Sequence, residues 1–146
     1  MITEYFAPST AALIAHRQVG PHLTDHELAT LARSHEAKVR AAVAEREATP
    51  LTSLVLLAQD TSPAVRCGVA RNPRADMPLS IRQDLAKDKS PEVLFALIAN
   101  PAVPRSIIAK IARARHKEYS AAARRRLART DRGSVHLFGL VGAHSH

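Results

Sequence analysis

The chain has one cysteine, no tryptophan and five glycines, and aromatic residues fill only 3% of its 146 positions. Each scarcity removes a class of chemistry. A lone thiol, Cys67, excludes an internal disulfide framework and any all-cysteine metal site. So few glycines leave little backbone for a phosphate cradle, and no Gly-rich phosphate loop, HExxH or GxSxG motif occurs. No run approaches the roughly 18–20 apolar residues that cross a bilayer, so no membrane span is expected. The N-terminal stretch MITEYFAPSTAALIAH carries Glu4 and no basic segment ahead of its apolar residues. A secretory signal is therefore not expected, and the cytoplasm is the expected compartment.

What remains is 46% hydrophobic, and the apolar residues are mainly Ala, Leu, Val and Ile, which suit helix-on-helix packing. They are ordered in columns. Val39, Val65, Val93 and Tyr119 stand 26, 28 and 26 residues apart. Three positions after each comes a small residue (Ala42, Gly68, Ala96, Ala122), and the next residue is Val43, Val69, Leu97 or Ala123. Fifteen positions before each anchor stands Thr24, Pro50, Pro78 or Pro104. Self-similarity at such a period marks a chain of stacked two-helix units.

Within each unit the spacing predicts two short helices. Leu54, Leu57 and Ala58 fall on one face, as do Leu28, Leu31 and Ala32, then Ile81, Leu85 and Ala86, then Ile108, Ile111 and Ala112. Thr49 before Pro50 is expected to cap the first helix, and Ser62-Pro63 and Ser90-Pro91 to open the second. Asn72-Pro73 and Asn100-Pro101 should end it, since asparagine tolerates helix-end conformations and proline cannot continue the ladder. The small column implies that a neighbouring helix passes close to the backbone. No sustained period-2 alternation supports strands.

The segments DTSPAVRCGVARNP (Asp60–Pro73) and DKSPEVLFALIANP (Asp88–Pro101) follow proline-started LxxLA-like helices, and together they resemble the leucine-rich repeat variant family. The resemblance covers about residues 24–123 and weakens in the last unit, where Tyr119-Ser120-Ala121 replaces the expected Val-Arg. It implies a right-handed solenoid close to HEAT and armadillo repeats, and a binding role without catalytic residues. The family's founding type carries a cysteine-rich iron–sulfur module. With Cys67 alone, that cluster cannot form here, and no cofactor is expected. Some HEAT-like proteins are alkyl-purine DNA glycosylases, but a chain whose only tyrosines are Tyr5 and Tyr119 is poorly equipped to stack on a flipped base.

Net charge is +8, and residues 105–132 alone carry all of it, ten Lys/Arg against Glu118 and Asp131. The candidate anion- or partner-binding residues are Lys110, Arg113, Arg115, Lys117, Arg124, Arg125, Arg126 and Arg129. A final helix over roughly Glu118–Arg129 would bring Arg125, Arg129 and Arg132 to one face at i+4 and i+7 spacing. Such a cluster suits phosphates or an acidic protein; equally, a polar cap is what the last unit of a repeat array needs for solubility.

Asp60 and Asp88 are expected to order the inter-helix turns by accepting backbone amides. Arg40, Arg66, Arg71, Arg74 and Arg82 could line a groove. Cys67, beside Gly68, reads as a buried inert thiol. His22 and His26 are four apart, but His22 should precede the helix that begins near Thr24, which breaks metal-ligand geometry. His144 and His146 end the chain, and neither pair is taken as a metal site.

These observations give an all-α, right-handed α-solenoid of about four two-helix repeats. Its parts are an N-terminal cap helix within residues 1–23, repeats over 24–129 and a C-terminal tail over 130–146. The expected function is a non-catalytic scaffold that binds another protein through the solenoid surface. The alternative is a nucleic-acid-binding module using the basic C-terminal end. An uncapped apolar end leaves homo-oligomerisation open.

Overall fold

The computed structural model describes residue 20 and residues 22–141, with backbone only at residue 117 and over 134–141. The expected cap helix around Thr10–Arg17 lies outside the described residues, as do His144 and His146.

Every regular element among the described residues is a helix. In chain order these are α1 (Asp25–Leu31), α2 (Ala37–Ala44), α3 (Leu51–Leu57), α4 (Pro63–Arg71), α5 (Leu79–Leu85), α6 (Pro91–Ala99), α7 (Arg105–Ala112) and α8 (Lys117–Val141). The even-numbered helices form a row: α2 packs on α4, α4 on α6 and α6 on α8, while each odd-numbered helix packs against its even-numbered neighbours in sequence.

The repeat columns become the core. Leu28, Val39, Val43, Leu54, Val65, Val93, Leu97 and Ile108 are wholly buried. Burying each such side chain contributes about 1.5–3 kcal/mol. Helices of seven to nine residues would not persist alone. They are helical because the columns give each one an apolar stripe with a neighbour to cover it.

The small column is realised most tightly at Gly68. A Cβ added there would sit 2.7 Å from the Ala41 carbonyl oxygen and 2.8 Å from the Ala44 Cβ. The backbones of α2 and α4 therefore meet at a point that only glycine admits.

Helix ends depart from the expected chemistry. Thr24 does cap α1, in a reciprocal box with Glu27. Thr49, however, does not cap α3. Pro50 takes the cap position, and the buried Thr49 hydroxyl donates to the Val43 carbonyl at 2.6 Å. Ser62 and Ser90 occupy the cap positions of α4 and α6 but make no side-chain capping bond. The oxygens that serve these turns belong to aspartates two residues earlier: Asp60 Oδ1 accepts the Ser62 amide at 2.9 Å and Asp88 Oδ1 the Ser90 amide at 2.8 Å. Asn72 and Asn100 end α4 and α6 in extended conformation, not left-handed. Their value lies in the side-chain amide, described below. The last helix passes beyond Arg129 to Val141. No proline follows it closely, unlike the Asn-Pro pairs that end α4 and α6.

Two polar seams and an arginine-bordered cleft

Two seams of polar side chains tie the even-numbered helices together, one at each end. At their N-terminal ends Arg40 donates through Nε and Nη2 to both oxygens of Asp60, at 2.8 and 3.1 Å. One unit on, Arg66 grips Asp88 in the same fork, at 2.7 and 3.2 Å. Each arginine also holds a carbonyl of its own preceding turn, Ser34 for Arg40 and Asp60 for Arg66, both at 2.8 Å. Burial by itself pushes the Asp60 carboxyl up. The hydrogen bonds from Arg40 and the Ser62 amide, with the charges of Arg40 and Arg66, outweigh it and hold the group below its ordinary range. Asp88 is balanced in the same way by Arg66 and the Ser90 amide. The aspartates thus order the turns as the sequence suggested, and also join neighbouring units.

At the opposite ends, Asn72 Nδ2 donates to the carbonyls of Ala44 and Arg46, each at 2.8 Å. Asn100 Nδ2 repeats this on Ala70 and Asn72, again at 2.8 Å. Their Oδ1 atoms accept the amides of Arg74 and Ala102. The terminal carbonyls of α2 and α4, which lack intrahelical partners, are satisfied by the following unit.

The candidate arginines divide. Arg126 is structural: its guanidinium is half-buried and donates to the carbonyls of Leu97, Ile98, Asn100 and Val103 at 2.8–3.1 Å. Burial, helped by the positive charge of Arg129, pulls its pKa below the ordinary arginine value. Lys110, Arg113, Arg115, Arg124, Arg125 and Arg129 are exposed. Lys117 is the first residue of α8, and its side chain lies outside the described residues. Of the proposed groove arginines, Arg40 and Arg66 are committed to the aspartates. Arg71 meets Glu45 at 3.2 Å, and Arg74 meets Asp76 at 2.6 Å. Arg82 is buried, its guanidinium spent on the carbonyls of Ala102 and Arg74.

The exposed cations are not evenly spread. Arg125, Arg129 and Arg132 line a cleft of about 600 Å³ between α6 and α8, whose other walls are Phe95, Ile98, Ala99, Ala122 and Ala128. Phe95 is 39% exposed there, an aromatic ring left in water on an otherwise apolar floor. Among the described residues no acidic side chain lines the cleft. Asp131, on the same helix, instead pairs with Arg105 at 2.9 Å. Sequence spacing placed the three arginines on one face. It did not place Phe95 opposite them, because that contact depends on how α8 settles against α6.

Cys67 is 3% exposed, and burial pushes its thiol pKa up, as expected of an inert thiol. Among the described residues no group of three or more His, Cys, Asp or Glu side chains is arranged to hold a metal ion, and no helix is long and apolar enough to cross a membrane. No family model, curated protein or solved structure matches the chain.

Proposed function

We propose that the chain is a non-catalytic interaction scaffold, an α-solenoid of two-helix repeats akin to the leucine-rich repeat variant and HEAT-like families, whose surface binds another protein. The supporting observation is where polar chemistry has been used. The Arg–Asp and Asn seams spend their groups on joining helices, while Phe95 stays exposed on an apolar floor. A half-exposed aromatic bordered by arginines is the composition of an interface anchor.

A second reading, nucleic-acid binding through the basic C-terminal end, is favoured by one observation: Arg113, Arg115, Arg124, Arg125 and Arg129 are all exposed.

Salt separates the two. A protein complex anchored on apolar contacts should keep its stoichiometry at about 0.3 M salt, where screening confines exposed charges to roughly 6 Å. Labelled duplex DNA and single-stranded RNA should then bind weakly at every salt concentration. Micromolar oligonucleotide binding, with a log–log salt slope of several phosphates and loss on joint Arg124→Glu, Arg125→Glu and Arg129→Glu substitution, would instead establish the second reading. Arg126 is left intact in that variant because its guanidinium holds the fold.

A further inference from the structure

The scaffold reading does not say which part of the surface takes a partner, or of what kind. We infer that the cleft between α6 and α8 binds an acidic amphipathic helix of a partner protein, its apolar stripe on Phe95 and the alanines beside it and its carboxylates on Arg125, Arg129 and Arg132. This rests on the scaffold reading and gives it an address.

Three observations select that occupant. The first is charge complementarity: among the described residues the cleft carries three cations and no anion. Glu92 and Glu118, on the two helices that form it, and Asp131 are absent from its walls. The second is spacing. Arg132 follows Arg125 by seven positions of α8, with Arg129 between them, a separation of about 10 Å along the axis. Two turns of a docked helix cover the same length, so glutamates at i, i+4 and i+7 would face the three guanidinium groups in register. The third is the floor. Phe95, Ala99, Ala122 and Ala128, with Ile98 buried beneath them, offer a strip of apolar surface broken by one protruding ring, the anchor that helix-in-groove recognition uses. A single-stranded nucleic acid would use the cations and stack a base on Phe95 but leave Ala99, Ala122 and Ala128 unused, so the apolar strip favours a peptide.

The neighbouring charges provide a control within the molecule. Arg124 and Arg115 are exposed, like Arg125 and Arg129, but do not line the cleft. Reversing either pair changes net charge equally.

The experiment is fluorescence anisotropy with a labelled helical peptide that carries leucines on one stripe and glutamates beside it. A peptide with lysine at every glutamate and a single-stranded oligonucleotide serve as comparison probes. Proteins are the full chain, Arg125→Glu/Arg129→Glu, Arg124→Glu/Arg115→Glu and Phe95→Ala, each checked for unchanged helicity and urea midpoint. The expected result is that the acidic peptide binds and the lysine peptide does not. Arg125→Glu/Arg129→Glu and Phe95→Ala should each weaken binding at least about tenfold, while the control pair changes it less than about threefold. Equal loss from both charge-reversed pairs would overturn the cleft in favour of diffuse attraction. Oligonucleotide binding tighter than that of the acidic peptide would overturn it in favour of nucleic acid, whether or not Phe95→Ala weakens it. A wild-type dimer that Arg125→Glu/Arg129→Glu separates would show that a second copy fills the cleft. Absence of peptide binding, with a protein complex still retained at high salt, would sink the cleft alone; absence of both would remove the scaffold as well.

Discussion

Arg126 stands where Asn100 would recur 26 residues on, and it does the same work. Asn100 bonds the last carbonyls of α4; Arg126 bonds those of α6, at Leu97, Ile98 and Asn100, and reaches Val103 as well. The middle of the basic sequence Arg124–Leu127 is thus divided between surface and interior.

Arg126→Ala should therefore lower stability by about 2–3 kcal/mol, because four carbonyl oxygens lose a charged donor. Arg124→Ala, two residues earlier and exposed, should stay within about 0.5 kcal/mol. Urea unfolding followed by circular dichroism measures both. Equal small effects would show that water replaces the guanidinium without loss.

Asn72 offers a sharper contrast. Asn72→Asp replaces a two-proton donor with a carboxylate facing the carbonyls of Ala44 and Arg46. It should cost more than Asn72→Ala, by about 1–3 kcal/mol, since the acceptors are then opposed as well as unpaired. The order of the two urea midpoints decides the matter.

Gly68 on α4 and Gly133 on α8 should respond with opposite signs. Gly68→Ala drives a methyl into the Ala41 carbonyl and should destabilise by about 1–3 kcal/mol or more. Gly133→Ala meets nothing within 4 Å on a helical backbone, and should stabilise by about 0.5–1 kcal/mol. Thermal melts of the two variants give the comparison.

Acid should attack the Arg–Asp seam. Asp60 and Asp88 have carboxyl pKa values held below the ordinary range in the folded chain. Their contribution is complete above the unfolded value of about 3.9 and is lost as pH falls through the lower folded value. Stability should thus hold from neutrality to about pH 5 and decline below about pH 4. In Asp60→Asn/Asp88→Asn, already less stable at pH 7, that decline should be shallower. Urea midpoints at stepped pH values test the difference in slope.

The helices and their core were legible because the columns at Val39, Val65 and Val93 repeat with one period, and burial follows the period directly. The seams were less legible. Asp60 could be read as a turn residue from its place before Ser62, but its pairing with Arg40 spans 20 residues and needs the row of helices to bring the groups together. The asparagines were noticed for their backbone tolerance, whereas the structure uses their amide protons. For Arg126 the signal was present: the same offset that aligns Val93 with Tyr119 aligns Asn100 with it. Adjacent arginines drew attention to charge and away from the column.

The Arg–Asp seam has an end. Leu94 and Ala114 stand where the next arginine and aspartate would fall, so the fork that fastens α2 to α4 and α4 to α6 is not repeated between α6 and α8. Rocking one of the earlier helices stretches a fork at one end or an amide bridge at the other. At the final joint, Arg126 is a pin near one end of α6 without an opposing Arg–Asp clasp. The same two helices wall the cleft that carries Phe95. That cleft is thus walled by the one consecutive pair of even-numbered helices, among those described, that these seams join at a single end.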